Sequence, residues 1–222
     1  MASQIAHIVY AKKYFESIEK AKVDLNSLDE TRILKAQKID RDQFMLGVVF
    51  PDIRLIDPKI KRQDTHLKFV PLDLDFSGLS WFEAGWKFHL YCDMRREEFL
   101  NQSGFYSLQG ASDFFGRPAK LWEDELIYDT YDNWEKLVAY FRNSPRIEEQ
   151  NLADDKTVAL WYAILATYME RKPDEKAMRV FLAKLAKLKQ KSDEMMEALG
   201  RLKKNDRARK ILMNIQEEIV KA

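Results

Sequence analysis

The chain has 222 residues, 46% hydrophobic and 12% aromatic, which is enough apolar surface for one sizeable core and too much for a disordered polymer. Thirty-seven Lys+Arg against 36 Asp+Glu leave a formal charge of +1, which excludes the broad positive field of a dedicated nucleic-acid binder. A single cysteine, Cys92, excludes an intrachain disulfide or a Cys-x-x-Cys pair and points to a reducing, cytoplasmic setting.

The opening Met-Ala-Ser-Gln-Ile-Ala-His lacks a basic n-region and a continuous apolar stretch. The longest apolar run, Met45 to Phe50, is far below the roughly 18 residues that a spanning helix needs, so an unprocessed chain with no transmembrane segment is expected. Seven glycines and six prolines leave few turns, and apolar residues recur at three and four rather than two, the period of an all-α protein.

Helices are expected from about Ser3 to Val23, Leu28 to Ile39 and Asp40 to Val49. Pro51 ends the third of these and leaves Asp52 in a turn. Residues 54–80, with Pro58, Pro71 and Gly78, are expected as a long loop carrying His66, and a helix resumes from about Ser80 to Asn101. Gly104, Gly110, Gly116 and Pro118 break the chain again, leaving the 103–118 loop as a wall or lid over a site; helices capped by Asp132 and Asp154 follow, to Asn143 and Arg171. After Pro173 the composition turns basic, with 13 Lys+Arg against 8 Asp+Glu. The chain therefore divides into a helical domain, 1–173, and a basic helical extension or hairpin, 174–222, which either binds a partner or presents a solvated basic face over an ordinary core.

Only three histidines occur, His7, His66 and His89, each in an apolar or aromatic context. His89 and Asp93, four apart, share one face of the Ser80–Asn101 helix, so an imidazole and a carboxylate one turn apart could hold a divalent metal or simply satisfy each other. Gly85, one turn earlier on that face, would let another backbone come close. Asp52 ends an almost wholly apolar helix and needs a cation or a turn to justify it.

The order His7, Pro51-Asp52-Ile53, Thr65-His66, His89-x-x-x-Asp93 resembles the bacterial zinc-dependent phospholipase C family and its nuclease-like relatives, over residues 6–93. The resemblance implies an all-helical fold and five metal ligands. Asp52, His66 and His89 would share one ion, Asp93 would bridge to a second, and His7 would hold that second ion. No histidine follows His89, so a third zinc lacks its ligands, and the chain looks closer to small intracellular members that keep the five-ligand core. From the segment Asp124 to Trp134, Asp129 could lend a further carboxylate, unless the segment only caps a helix.

His and carboxylate ligands without thiolate suit zinc, and also manganese or iron, as one or two ions. Such an ion lowers the pKa of a bound water to about 7 and makes hydrolysis available at neutral pH. The expected function is hydrolysis of a phosphoester, either a small molecule or a lipid headgroup. The resemblance assigns Asp52 the further role of orienting or deprotonating the water. Arg54, Arg62, Arg95 and Arg96 bracket the ligands in sequence and could clamp a phosphate, or belong to a solvated charged surface. The competing class is a non-catalytic helical module with a structural or vestigial ion and a partner-binding tail.

Overall fold

A computed structural model describes residues 3–24 and 39–219. Among them the secondary structure is entirely helical: α1 (Gln4–Asp24), α2 (Arg41–Val49), α3 (Arg62–His66), α4 (Trp81–Gln102), α5 (Arg117–Ile127), α6 (Trp134–Arg142), α7 (Asp155–Met169), α8 (Glu175–Lys184), α9 (Ser192–Leu202) and α10 (Asp206–Glu218). The helix expected over 28–39 lies outside the described residues except for its last position. No described helix is long and apolar enough to cross a membrane.

Local chemistry places most of these boundaries. Asp40, Asp154, Asp174 and Asn205 cap α2, α7, α8 and α10 by accepting a backbone N–H three residues on. Ser80 and Glu83 form a capping box at the start of α4. Asp132 does not cap α6: Asn133 precedes that helix with no side-chain cap bond, and Asp132 lies instead 3.5 Å from Lys12. Asp52 is not in a simple turn, because the chain continues past Pro51 as a 3-10 helix over Phe50–Leu55. The expected 54–80 loop contains α3, which ends on His66.

One whole helix went unexpected. Gly116, at φ 70°, lets the backbone turn left-handed, and Pro118 then occupies the first turn of α5. A glycine and a proline two residues apart thus start a helix here. The described part of the basic stretch, 174–219, folds as α8, α9 and α10. Leu199, Leu202, Leu212 and Ile215 bury its apolar stripe; α9 packs on α5, and α10 packs on α1, α4 and α5.

The tightest crossing is between α2 and α4. A Cβ on Gly47 would sit 1.9 Å from the carbonyl oxygen of Phe82, and one on Gly85 would sit 2.0 Å from that of Phe44. The two glycines face each other's helix, and backbone meets backbone as the sequence suggested for Gly85. The free carbonyls at the end of α2 are then all met. Leu46 accepts from the Tyr162 hydroxyl at 3.0 Å, Gly47 from the Phe50 N–H, Val48 from His89 Nδ1 at 2.8 Å, and Val49 from Trp161 Nε1 at 3.1 Å.

Gly85→Ala should therefore cost about 3 kcal/mol or more, because neither backbone can yield locally. Gly200→Ala, in α9 with nothing within 4 Å of the new Cβ, should stabilise by about 0.5–1 kcal/mol. Chemical denaturation of both variants checks this pair, and equal stability would refute the crossing.

Candidate metal centre

Three elements meet at the crossing and bring the histidines together. His7 lies in the first turn of α1, where its Nδ1 donates to the Ser3 carbonyl at 2.8 Å. His89 lies on α4 and donates Nδ1–H to the Val48 carbonyl at 2.8 Å. His66 ends α3, which Trp86 Nε1 ties to α4 through the Thr65 carbonyl at 2.7 Å. Its Nδ1 is 2.7 Å from Thr65 Oγ1, and that hydroxyl donates onward to the Arg62 carbonyl at 3.3 Å, so His66 Nδ1 is again the donor. These acceptors fix a proton on Nδ1 of each ring and leave Nε2 as the atom turned into the cluster. All three Nε2 atoms are buried and without a hydrogen-bond partner among the described residues.

Those nitrogens converge on Asp93. His7 Nε2 is 3.4 Å from Asp93 Oδ1, while His66 Nε2 and His89 Nε2 are 3.8 and 3.7 Å from Oδ2. The His7 and His89 rings stack at 3.8 Å. Two overlapping trios result, His7–His89–Asp93 and Asp52–His66–His89, the donor atoms of each lying within 4.8 Å of one another. Donors bound at about 2.0–2.2 Å at tetrahedral angles are roughly 3.4 Å apart, so these buried groups could hold a metal ion. One imidazole nitrogen has one lone pair, so His89 serves a single ion at a time. Asp93, with one oxygen toward His7 and the other toward His66 and His89, has the geometry of a bridge.

Asp52 is fixed from both sides. Arg54 donates to its Oδ1 at 3.0 Å and Gln4 Nε2 to its Oδ2 at 2.8 Å. Burial opposes its ionisation, but Arg54, His89 and His66 outweigh that and hold its carboxyl well below the usual range. Burial likewise opposes ionisation of Asp93, and the neighbouring His89 and His7 outweigh it and hold the carboxyl well below the usual range. Burial pushes His66 down to about 4, with Asp52 and Asp93 pulling the other way; His89 falls well below its ordinary value through burial and the neighbouring His7. Both rings are therefore neutral, as ligation requires.

Two members of the cluster, His66 and Asp93, line an open cleft of about 600 Å³, with Arg62, Arg96, Tyr106 and Lys120 around it, while His7 and His89 lie buried behind them. Phe115 and Gly116 bring the glycine-punctuated 103–118 loop into its wall. A smaller void of about 60 Å³ lies on the Asp52 side, lined by Gln4, Arg54, Arg117 and Lys120.

The expected phosphate clamp is rearranged. Arg54 is buried against Asp52, where it orients a carboxylate instead of facing the cleft. Arg96 reaches the cleft wall but is held by Glu123 at 2.7 Å, and Glu123 also accepts from the Tyr10 hydroxyl. Arg95 pairs with Glu98 at 2.7 Å and does not line the cleft. Arg62 does line it. Asp129 is exposed and bonded to Lys172, outside the cluster.

The carboxylate that the 124–134 segment does contribute near His7 is Asp124. It is fully buried and accepts from the Ala6 N–H at 2.9 Å and the Tyr168 hydroxyl at 3.0 Å, capping the start of α1. Sequence reasoning missed Asp124, Lys120, Arg117 and Glu123 together because all ride on α5. Among known proteins, no family model, no curated protein and no solved structure matches the chain.

Burial raises Asp124 from 3.8 to about 7, against the lowering effect of the bonds from Ser3, Ala6 and Tyr168. A carboxyl raised on folding contributes stability that is full below its unfolded value and is lost as pH rises through the folded one. The depressed histidines act in the opposite sense, losing stability as pH falls below their unfolded value. A comparison with Asp124→Asn isolates the carboxyl. Across pH 4 to 8 the Tm of the variant should rise relative to wild type, and parallel Tm profiles would contradict the assigned burial.

Proposed function

We propose that this chain is a divalent-metal-dependent hydrolase of phosphoesters, related to the zinc-dependent phospholipase C family that residues 6–93 resemble. The observation that supports it most is the common orientation of His7, His66 and His89. Each spends its Nδ1 proton on a fixed oxygen and turns a bare Nε2 into one buried space beside two carboxylates. A structure built only to bury histidines would pair those nitrogens. Two of its members, His66 and Asp93, also line an open cleft, as access for a substrate requires, where a purely structural ion would be enclosed.

His7, His66, His89, Asp52 and Asp93 would hold one or two ions, zinc first among N/O-binding metals and manganese or iron next. The ion would supply an acidified water at neutral pH. Asp52, pinned by Arg54 and Gln4 and held ionised, would orient that water. Arg62 meets the phosphoester at the cleft mouth, while Glu123 fixes Arg96 in the wall. A phosphodiester or lipid headgroup is the substrate that the resemblance implies. The buried free thiol of Cys92 suits a reducing cytoplasm.

Purified protein should contain one or two equivalents of a divalent metal by elemental analysis and hydrolyse members of a panel of phosphate mono- and diesters. His89→Ala removes the nitrogen shared by both trios, so metal content and turnover should each fall at least about tenfold. Full occupancy in that variant would defeat the assignment, as would metal-replete wild type inert toward the whole panel.

A further inference from the structure

Two of the cations around the cluster have a neutralising neighbour: Arg54 has Asp52 and Arg96 has Glu123. Lys120 has no comparable partner. It is half-buried on the second turn of α5 and borders both the cleft and the smaller void, so its side chain stands between the His66–Asp93 side of the cluster and the Asp52 side. Among the described residues, no carboxylate lies within ion-pair distance of it. The same is true of Arg117, one turn before it, and of Arg62 across the cleft. An ammonium withdrawn from water without a counter-charge is costly, and a fold that keeps one beside a metal centre gains from an anion that arrives there.

The balance of charge and space narrows the anion. With Arg54 and Arg96 neutralised, Arg62, Arg117 and Lys120 face only Asp93 and Glu97 around the two cavities, and any divalent ion adds to the positive excess. A diester brings one negative charge and a second ester substituent; a monoester brings two charges and a bare oxygen in that substituent's place. The space beyond Lys120 toward Asp52 is about 60 Å³ against about 600 Å³ for the cleft, so a bare oxygen is easier to seat there than a second ester substituent. The roomy side, about 600 Å³, is left for a single leaving group.

We propose that Lys120 binds a phosphoryl oxygen of the substrate and makes the centre selective for phosphomonoester dianions over phosphodiesters. This rests on the hydrolase reading above, narrows the phosphoester to a monoester, and departs from the phosphodiester that the resemblance implies. Burial brings the amine down to about 8, Asp93 opposing and Arg96 reinforcing the shift, so Lys120 is still mostly charged at neutral pH. The competing role is that Lys120 merely balances Asp93 and Asp52.

The test uses the metal-loaded full chain, with occupancy measured for each sample. Inorganic phosphate should bind wild type at pH 7 by calorimetry, about tenfold or more weaker in Lys120→Met, with binding largely recovered in Lys120→Arg. Saturating phosphate should also protect Lys120 of wild type from amine acetylation read by mass spectrometry, a measurement that needs no variant to fold. Wild type should favour p-nitrophenyl phosphate over bis-p-nitrophenyl phosphate in kcat/KM, and Lys120→Met should lose about tenfold or more on the monoester and distinctly less on the diester, so that the preference shrinks. The selectivity proposal is overturned if Lys120→Met binds phosphate as wild type does, if phosphate gives no protection, or if wild type prefers the diester. A charge-balancing Lys120 would show itself as tighter metal binding in Lys120→Met with both ester rates unmoved, which also overturns it. Lys120-dependent phosphate binding without turnover of either ester would instead defeat the hydrolase reading and leave the anion site standing.

Discussion

The close approach of α2 and α4, which Gly47 and Gly85 each permit, is the constraint on which the metal cluster depends. Side chains at either position would drive α2 and α4 apart, since each missing Cβ is replaced by a carbonyl of the other helix at about 2 Å. Close approach puts the end of α2 within reach of α4, so that the Val48 carbonyl meets His89 Nδ1 and the following 3-10 helix delivers Asp52 to the same face. The exposed end of one helix thus sets the tautomer of a histidine on another, and with it the direction of that histidine's lone pair.

The same logic recurs around the cluster. Ser3, Val48 and Thr65 each take up one imidazole N–H, Gln4 and Arg54 take up the carboxylate of Asp52, and Asp124 takes up a free N–H at the start of α1. These bonds remove rotational freedom before any ligand arrives and leave three nitrogens uncompensated in an apolar setting. Burial keeps the rings of His66 and His89 neutral, and the low dielectric strengthens their interaction with the carboxylates beside them. Around this floor, α5 supplies the opposing wall, with Glu123 and Asp124 turned into the core and Lys120 turned toward the cleft.

Much of this was legible in the chain itself. His89 and Asp93 on one face follow from helical spacing, the role of Gly85 from its missing side chain one turn before His89, and the start of α4 from Ser80. The five residues picked out by their resemblance to a metallohydrolase pattern come together in space, although they span positions 7 to 93. What failed was inference by adjacency. Arg54 and Arg95 stand next to ligands in sequence, yet one is spent on Asp52 and the other on Glu98. Asp129 is only five residues from Asp124, yet lies at the surface while Asp124 is buried. Helix α5 escaped notice because a glycine and a proline two residues apart signal interruption and initiation alike, and only the cap geometry tells them apart.

The sequence by itself determined an all-helical chain, the starts of α1, α2, α4 and α7, and the identity of the side chains able to bind a cation, because these depend on spacing within a single helix or on the chemistry of single residues. The tertiary structure alone decided which nitrogen of each histidine is bare, which arginines are already neutralised, and that a lysine from an unforeseen helix faces the centre without a counter-charge. Those properties belong to distances between segments separated by tens of residues, and such distances are set by packing that no local pattern encodes.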